Sequence, residues 1–158
     1  MSHIPPHDEA CEQEILGSIF IDNDVLAKLG DLNPQDFYHD QNAAIFQSCL
    51  KLHTQGEEVN QITVAHDLNK LGKLDIVGGP AYLLGLLMMV PTLADFPTCV
   101  KRVRDTSLCR RLLAGANEIQ HLAYEENGDA AIALAKRLSQ LGGSKEGMDG
   151  RKGYQWKS

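Results

Sequence analysis

From Asp95 to Glu126 the chain contains nothing that would stop a helix except a lone glycine, Gly115. Asp95 can cap the start, and Pro97 falls in the first turn, where a missing N–H does little harm. A helix of about 30 residues is about 45 Å long. That exceeds the width of a compact domain of about 90 residues, so the helix is predicted to project from whatever precedes it. Asn127-Gly128 then offers a turn, and a second helix is expected from Asp129 to Leu141, making residues 93–141 a long helical hairpin.

The hairpin carries more apolar surface than two helices can hide. Cys109, Leu112, Ala116, Ile119 and Ala123 form one stripe, and Ala131, Leu134, Leu138 and Leu141 form another at heptad-like spacing. Leu108, Leu113 and Leu122 stand beside them. Either a second subunit covers the excess, or the hairpin folds back on residues 1–92. Alanines at 130, 131, 133 and 135 suit close approach of backbones.

Residues 1–92 read as a globular helical head. Cys11, Ile15, Leu16, Ile19 and Phe20 repeat at three and four residues, with Asp8 and Glu9 at the positive end of that helix's dipole. A short helix carries Val25, Leu26 and Leu29, and Asn33-Pro34 pairs a cap with proline at the first helical position. Asp40 is expected to cap a helix through Ile45, Cys49 and Leu52 that stops at Gly56. Thr63 is expected to begin another, ending at Gly72, and Gly79-Pro80 to open one that ends at Pro91. No alternating strand of useful length exists, so the fold class is all-α, a globular head followed by a protruding hairpin. Residues 142–158, GGSKEGMDGRKGYQWKS, are glycine-rich and polar and read as a flexible tail or linker.

Charge divides the chain in the same place. Residues 1–92 hold 13 acidic and 4 basic side chains and no arginine, whereas residues 93–158 hold 8 acidic and 11 basic. No apolar run approaches the ~18 residues of a membrane span, and MSHIPPHDEA has no apolar signal core, so a cytoplasmic protein is expected. The four cysteines show no CxxC spacing and read as small core residues rather than metal ligands.

Catalytic constellations are missing. Lys73, after Gly72, makes the only Gly-Lys pair, but leucine comes next and Asp67 stands where a phosphate-binding loop needs its first glycine. His3 and His7 are separated by two prolines, His66-Asp67 are adjacent and face different ways, and Glu12 and Glu14 point apart. No enzyme activity, metal or cofactor is expected. Lys101, Arg104 and Arg111 fall within about 80° of one another on the long helix, which makes a weak nucleic-acid contact one reading and a solvated face paired with the acidic half the other.

Taken in order, PPHDEACEQEILGSIFIDND (5–24), PQDFY (34–38), ITVAHDL (62–68), GKLDIVGGPAYL (72–83), VPT (90–92), VRDTSLCRRLL (103–113) and ANEIQHLAYE (116–125) resemble the N-terminal domain of DnaB-type replicative helicases. The resemblance implies an oligomerisation and protein-interaction module. In that family hairpins pair into dimers, three dimers form a collar above the motor ring, and the collar receives primase and in some systems a loader, with DNA passing through the ring. ATP and magnesium would belong to a motor domain, not to these residues. Carried over to the hairpin contact are Val100, Val103, Leu112, Ile119, Leu134 and Leu138, with Tyr82 a partner contact on the head. Ala10 stands where many members have glutamate, so a contact made by that acid does not transfer. A stand-alone regulator of a helicase and a small DNA-binding regulator are the alternatives.

Overall fold

The computed structural model describes residues 3–89 and 95–141. Among these, every regular element is helical: α1 (Glu9–Ile21), 3-10 turns at Asn23–Lys28 and Pro34–Asp36, α2 (Asp40–Thr54), α3 (Gln61–Lys70), α4 (Gly79–Met88), α5 (Phe96–Tyr124) and α6 (Gly128–Ser139). The expected end of α4 at Pro91 and the tail from 142 lie outside the described residues.

Packing divides the chain into two compact units, Met1–Ser107 and Leu108–Ser158, so the boundary falls inside α5 rather than at residue 92. The cause is visible in α5's first turns. Phe96, Cys99, Val100 and Val103 are buried in the same core as Ile15, Leu16, Ile19, Ile45, Phe46, Leu68, Leu83 and Leu86. Each fully buried side chain of this kind contributes about 1.5–3 kcal/mol. Phe37 and Phe46 meet at a ring-centroid distance of 4.7 Å and tie the 3-10 turn at 34–36 to α2.

Capping explains where most head helices begin. Asp8 caps α1 by accepting from the Cys11 N–H at 3.0 Å. That bond, with the Arg102 guanidinium 3.2 Å away, holds its carboxyl below the usual value despite partial burial. Asn33 and Asp36 form the reciprocal capping box expected around Pro34. α3 starts at Gln61 rather than Thr63, because Asn60 accepts from the Ile62 and Thr63 N–H groups while the Thr63 hydroxyl accepts from the Asn60 N–H.

α2 departs from expectation in a more informative way. Asp40 is its first residue and His39 its cap, and His39 offers no side-chain bond to the helix. The chain entering α2 is instead anchored by Glu12 of α1, only 1% exposed. Its carboxylate accepts from the Tyr38 N–H at 2.6 Å, the His39 N–H at 3.4 Å and the Asn42 amide at 3.0 Å. Deeper in the head, Asp67 accepts from the Ser48 hydroxyl at 2.7 Å and pairs with Lys51 at 2.6 Å. Burial pushes the Asp67 carboxyl up, but Lys51 and Ser48 outweigh it and hold it below its ordinary value.

Candidate interaction surface on the hairpin

The second unit is an antiparallel pair made from the C-terminal part of α5 and all of α6. Its turn has the bonding of a Schellman motif: the Glu126 N–H donates to the Ala123 carbonyl at 3.1 Å and the Asn127 N–H to the Leu122 carbonyl at 2.9 Å. The residue that must then be left-handed is Glu126, at φ 62°, the single non-glycine residue with positive φ among those described. Glycine is the usual occupant, and a side chain there costs about 1 kcal/mol. Asn127 caps α6 by accepting from the Ala130 N–H at 3.4 Å.

The hairpin closes on its own seam. Leu108, Ile119 and Leu122 of α5 and Leu134, Leu138 and Leu141 of α6 are half-buried, and Ala131 is buried. Gly115 is where the helices come closest. A Cβ built on it would stand 2.7 Å from Leu138 Cδ2 and 3.0 Å from Leu138 Cγ, so the absence of a side chain is what lets Leu138 lie across α5.

Outside the seam an apolar surface remains. Leu112 is 39% exposed, Leu113 51% and Ile132 57%, and Cys109, Ala116, Ala123 and Ala135 are exposed as well. At about 100° per residue, Leu112, Ala116 and Ala123 lie on one flank of the α5 seam positions, while Arg111, Glu118 and Glu125 lie on the other. On α6, Ala135 and Ile132 lie on the same-handed flank. Antiparallel partners are related by a local two-fold perpendicular to the plane of their axes, and that operation leaves like flanks on one side. The hairpin therefore has one flank that is apolar on both helices, while the opposite flank of α5 is charged.

The residues singled out from the sequence separate accordingly. Leu112 lies on the apolar face. Ile119, Leu134 and Leu138 are engaged in the hairpin's own seam, and Val100 and Val103 lie in the head core, where they present no surface to another chain. Tyr82 is half-buried; its hydroxyl donates to Asn42 at 2.6 Å and accepts from the Gln13 amide at 3.2 Å, which joins it to the Glu12 network. Lys101 pairs with Asp105 at 2.7 Å, and Arg104 reaches the Leu29 carbonyl and Asp31. Arg111 is exposed on the second unit. Two of the three cations proposed for nucleic acid are thus engaged within the head. Sequence reasoning missed Glu12, although it sits three and four residues before Ile15 and Leu16, on their stripe.

Among the described residues no cluster of three or more His, Cys, Asp or Glu could hold a metal ion, and no helix is long and apolar enough to cross a membrane. The cysteines are free, with Cys49 and Cys99 buried and Cys109 exposed.

Known proteins share this arrangement. The model for the DnaB-like helicase N-terminal domain matches residues 4–105. The replicative DNA helicase DnaB of Leifsonia xyli is 33% identical over 126 residues, 79% of this chain and 28% of the relative. Curated relatives of this kind are spanned over only 23% to 29% of their length. Among solved structures, the N-terminal domain of DnaB helicase from Mycobacterium tuberculosis superposes with a TM-score of 0.80 at 32% identity, covering 84% of this chain and 99% of that one. The N-terminal domain of the Helicobacter pylori DnaB helicase, described together with its interactions with primase, gives 0.60 at 22% identity, covering 73% of this chain and 90% of that one, a likeness of fold alone. The head with its capped helices and the hairpin that follows are those of the DnaB-like helicase N-terminal domain, and the chain belongs to that family.

Proposed function

We propose that these residues form the assembly and docking module of a replicative DNA helicase: they associate with further copies through the hairpin, shape the collar of a hexamer, and receive primase and a helicase loader while DNA passes through the ring. The observation that carries this reading is the apolar hairpin face, Leu112, Leu113 and Ile132 with the alanines between them, left open once the seam of Leu134 and Leu138 is closed. Faces of this kind on a soluble chain mark contact surfaces. The domain offers no phosphate-binding loop, so its contribution to unwinding is architectural.

Sedimentation at high micromolar concentration tests the first half of the reading. The chain is expected to form reversible dimers or larger species, and Leu112→Glu with Ile132→Glu is expected to disperse them with helix content unchanged. Calorimetric titration with a primase helicase-binding domain tests the second half. A strictly monomeric chain that gives no heat with primase would overturn the proposal.

A further inference from the structure

We infer that Asn127, at the tip of the hairpin, is a site of spontaneous deamidation, and that fraying of the first turn of α6 sets its rate. Seven asparagines are spread through the chain, and Asn127 alone is followed by glycine. That order matters because the attacking group is the next residue's backbone nitrogen and the target is the asparagine's own side-chain carbon. A Cβ on the attacking residue crowds the ring that forms, and glycine has none.

The chemistry needs no partner beyond water. The Gly128 nitrogen bonds to Asn127 Cγ, the Cγ–Nδ2 bond breaks, and Nδ2 leaves as ammonia with the proton that Gly128 gives up. Water then opens the cyclic imide at either carbonyl. Breaking the bond from nitrogen to Cγ yields aspartate. Breaking the bond from nitrogen to the main-chain carbon yields isoaspartate, whose backbone runs through the former side chain.

The turn presents both reactants. Asn127 and Gly128 are exposed, and a Cβ built on Gly128 meets nothing within 4 Å outside the adjoining backbone. Gly128 is the first residue of α6, so its N–H is among the donors without an acceptor inside the helix, and losing that proton breaks no helical bond. Asn127 Oδ1 accepts from the Ala130 N–H at 3.4 Å. Negative charge gathering on that oxygen during attack therefore faces a backbone donor and the positive end of α6.

What restrains the reaction is the backbone of Asn127. Its carbonyl accepts from the Ala131 N–H at 3.1 Å, and its N–H donates to the Leu122 carbonyl at 2.9 Å. Swinging the Gly128 nitrogen onto Cγ turns the Asn127–Gly128 peptide and gives up the first of these bonds. Helix ends open at little cost, so fraying supplies the reactive conformation. The strain of left-handed Glu126 is released when the turn opens, which favours the opening. Aspartate keeps the cap as a carboxylate. Isoaspartate adds a carbon to the main chain between the bonds to Leu122 and Ala131, so the turn cannot keep both.

The test holds the full chain at body temperature and mildly alkaline pH, digests samples at acidic pH, and maps them by mass spectrometry. The peptide carrying Asn127 is expected to exchange its amide for a hydroxyl with time, faster as pH rises, in two chromatographic forms of which one matches the Asn127→Asp variant. Mapping also separates this peptide from Asp149-Gly150, where the same ring forms with no change in mass. Gly128→Ala, which the helical backbone and open space accommodate, is expected to lose the conversion. Glu126→Gly removes the strain and is expected to slow conversion about fivefold, each rate taken relative to the same chain unfolded in urea. Asn127 that stays intact in the folded chain while converting in urea overturns the proposal. Conversion that Glu126→Gly leaves at the parent rate overturns the fraying step and leaves the site standing.

Discussion

Replacing Gly115 by alanine separates two opposing effects whose sizes can be set against each other. In an exposed helix interior, glycine to alanine stabilises by about 1 kcal/mol through backbone entropy. Here the new methyl carbon would stand 2.7 Å from Leu138 Cδ2 and 3.0 Å from Leu138 Cγ. Non-bonded carbons prefer about 3.5–4.0 Å, so Leu138 must move by most of an ångström or more, and its way out is away from the seam. Overpacking of this kind costs about 1–3 kcal/mol, which exceeds the propensity gain, so Gly115→Ala should lower hairpin stability by about 1–2 kcal/mol. Urea denaturation followed by far-UV circular dichroism, at concentrations low enough to keep the chain monomeric, measures it. Leu138→Ala in the same background makes room for the methyl, so the double variant should be more stable than the sum of the single changes predicts, with a coupling of about 1–2 kcal/mol. If Gly115→Ala alone raises stability by the full propensity value, the close approach of α5 and α6 is wrong.

Other perturbations probe the head and the turn. Glu12→Ala strands the Tyr38 N–H and the Asn42 amide in the interior and should cost about 2–4 kcal/mol; a loss below 1 kcal/mol would mean the carboxylate does not anchor the entry to α2. Asp67 is held below its ordinary value of 3.8 in the folded chain, so its contribution is complete above that pH and disappears as pH falls through the lower folded value. Lys51→Met narrows that gap and should therefore lower stability near neutrality and flatten the acid limb, and Asp67→Asn should remove this residue's share of the limb altogether. Glu126→Gly relieves the left-handed strain and should stabilise the isolated hairpin by about 1 kcal/mol in the same urea assay. A thiol reagent should modify Cys109 rapidly, whereas Cys49 and Cys99, buried and with thiols pushed up chiefly by that burial, should react only on unfolding.

Much of this architecture can be read from spacing alone. The long helix is visible because nothing between Pro97 and Asn127 breaks it, and it runs from Phe96 to Tyr124. Asn33-Pro34 announces its capping box, since both partners lie within four residues. What spacing hides is anything settled across the chain. Asp40 is a plausible cap by type, but it is the first residue of α2, and the segment before it is held by Glu12, 26 residues before Tyr38. Periodicity gives the apolar positions of α5 without saying which neighbour each one meets. Val100 and Val103 therefore look the same as Leu112, although the first two face the head core and Leu112 faces solvent. Ile119, Leu134 and Leu138 satisfy a pattern equally consistent with a partner chain or with each other, and the missing side chain of Gly115 is what resolves them into a seam.

The boundary inside α5 bears on how such a chain can be cut and rearranged. Domains exchanged by recombination usually part at loops, where a break leaves both backbones capped. Here a break at Ser107 would sever a continuous helix, leaving carbonyls without donors on one fragment and N–H groups without acceptors on the other. The head would also be left ending at the residue whose hydroxyl donates to buried Asp36 at 2.7 Å. A cut at this boundary is therefore expected to destabilise both pieces. A graft that changes the association surface is better made by substitution on the faces of α5 and α6, or by joining within the turn at Glu125–Gly128, than by splicing at the head.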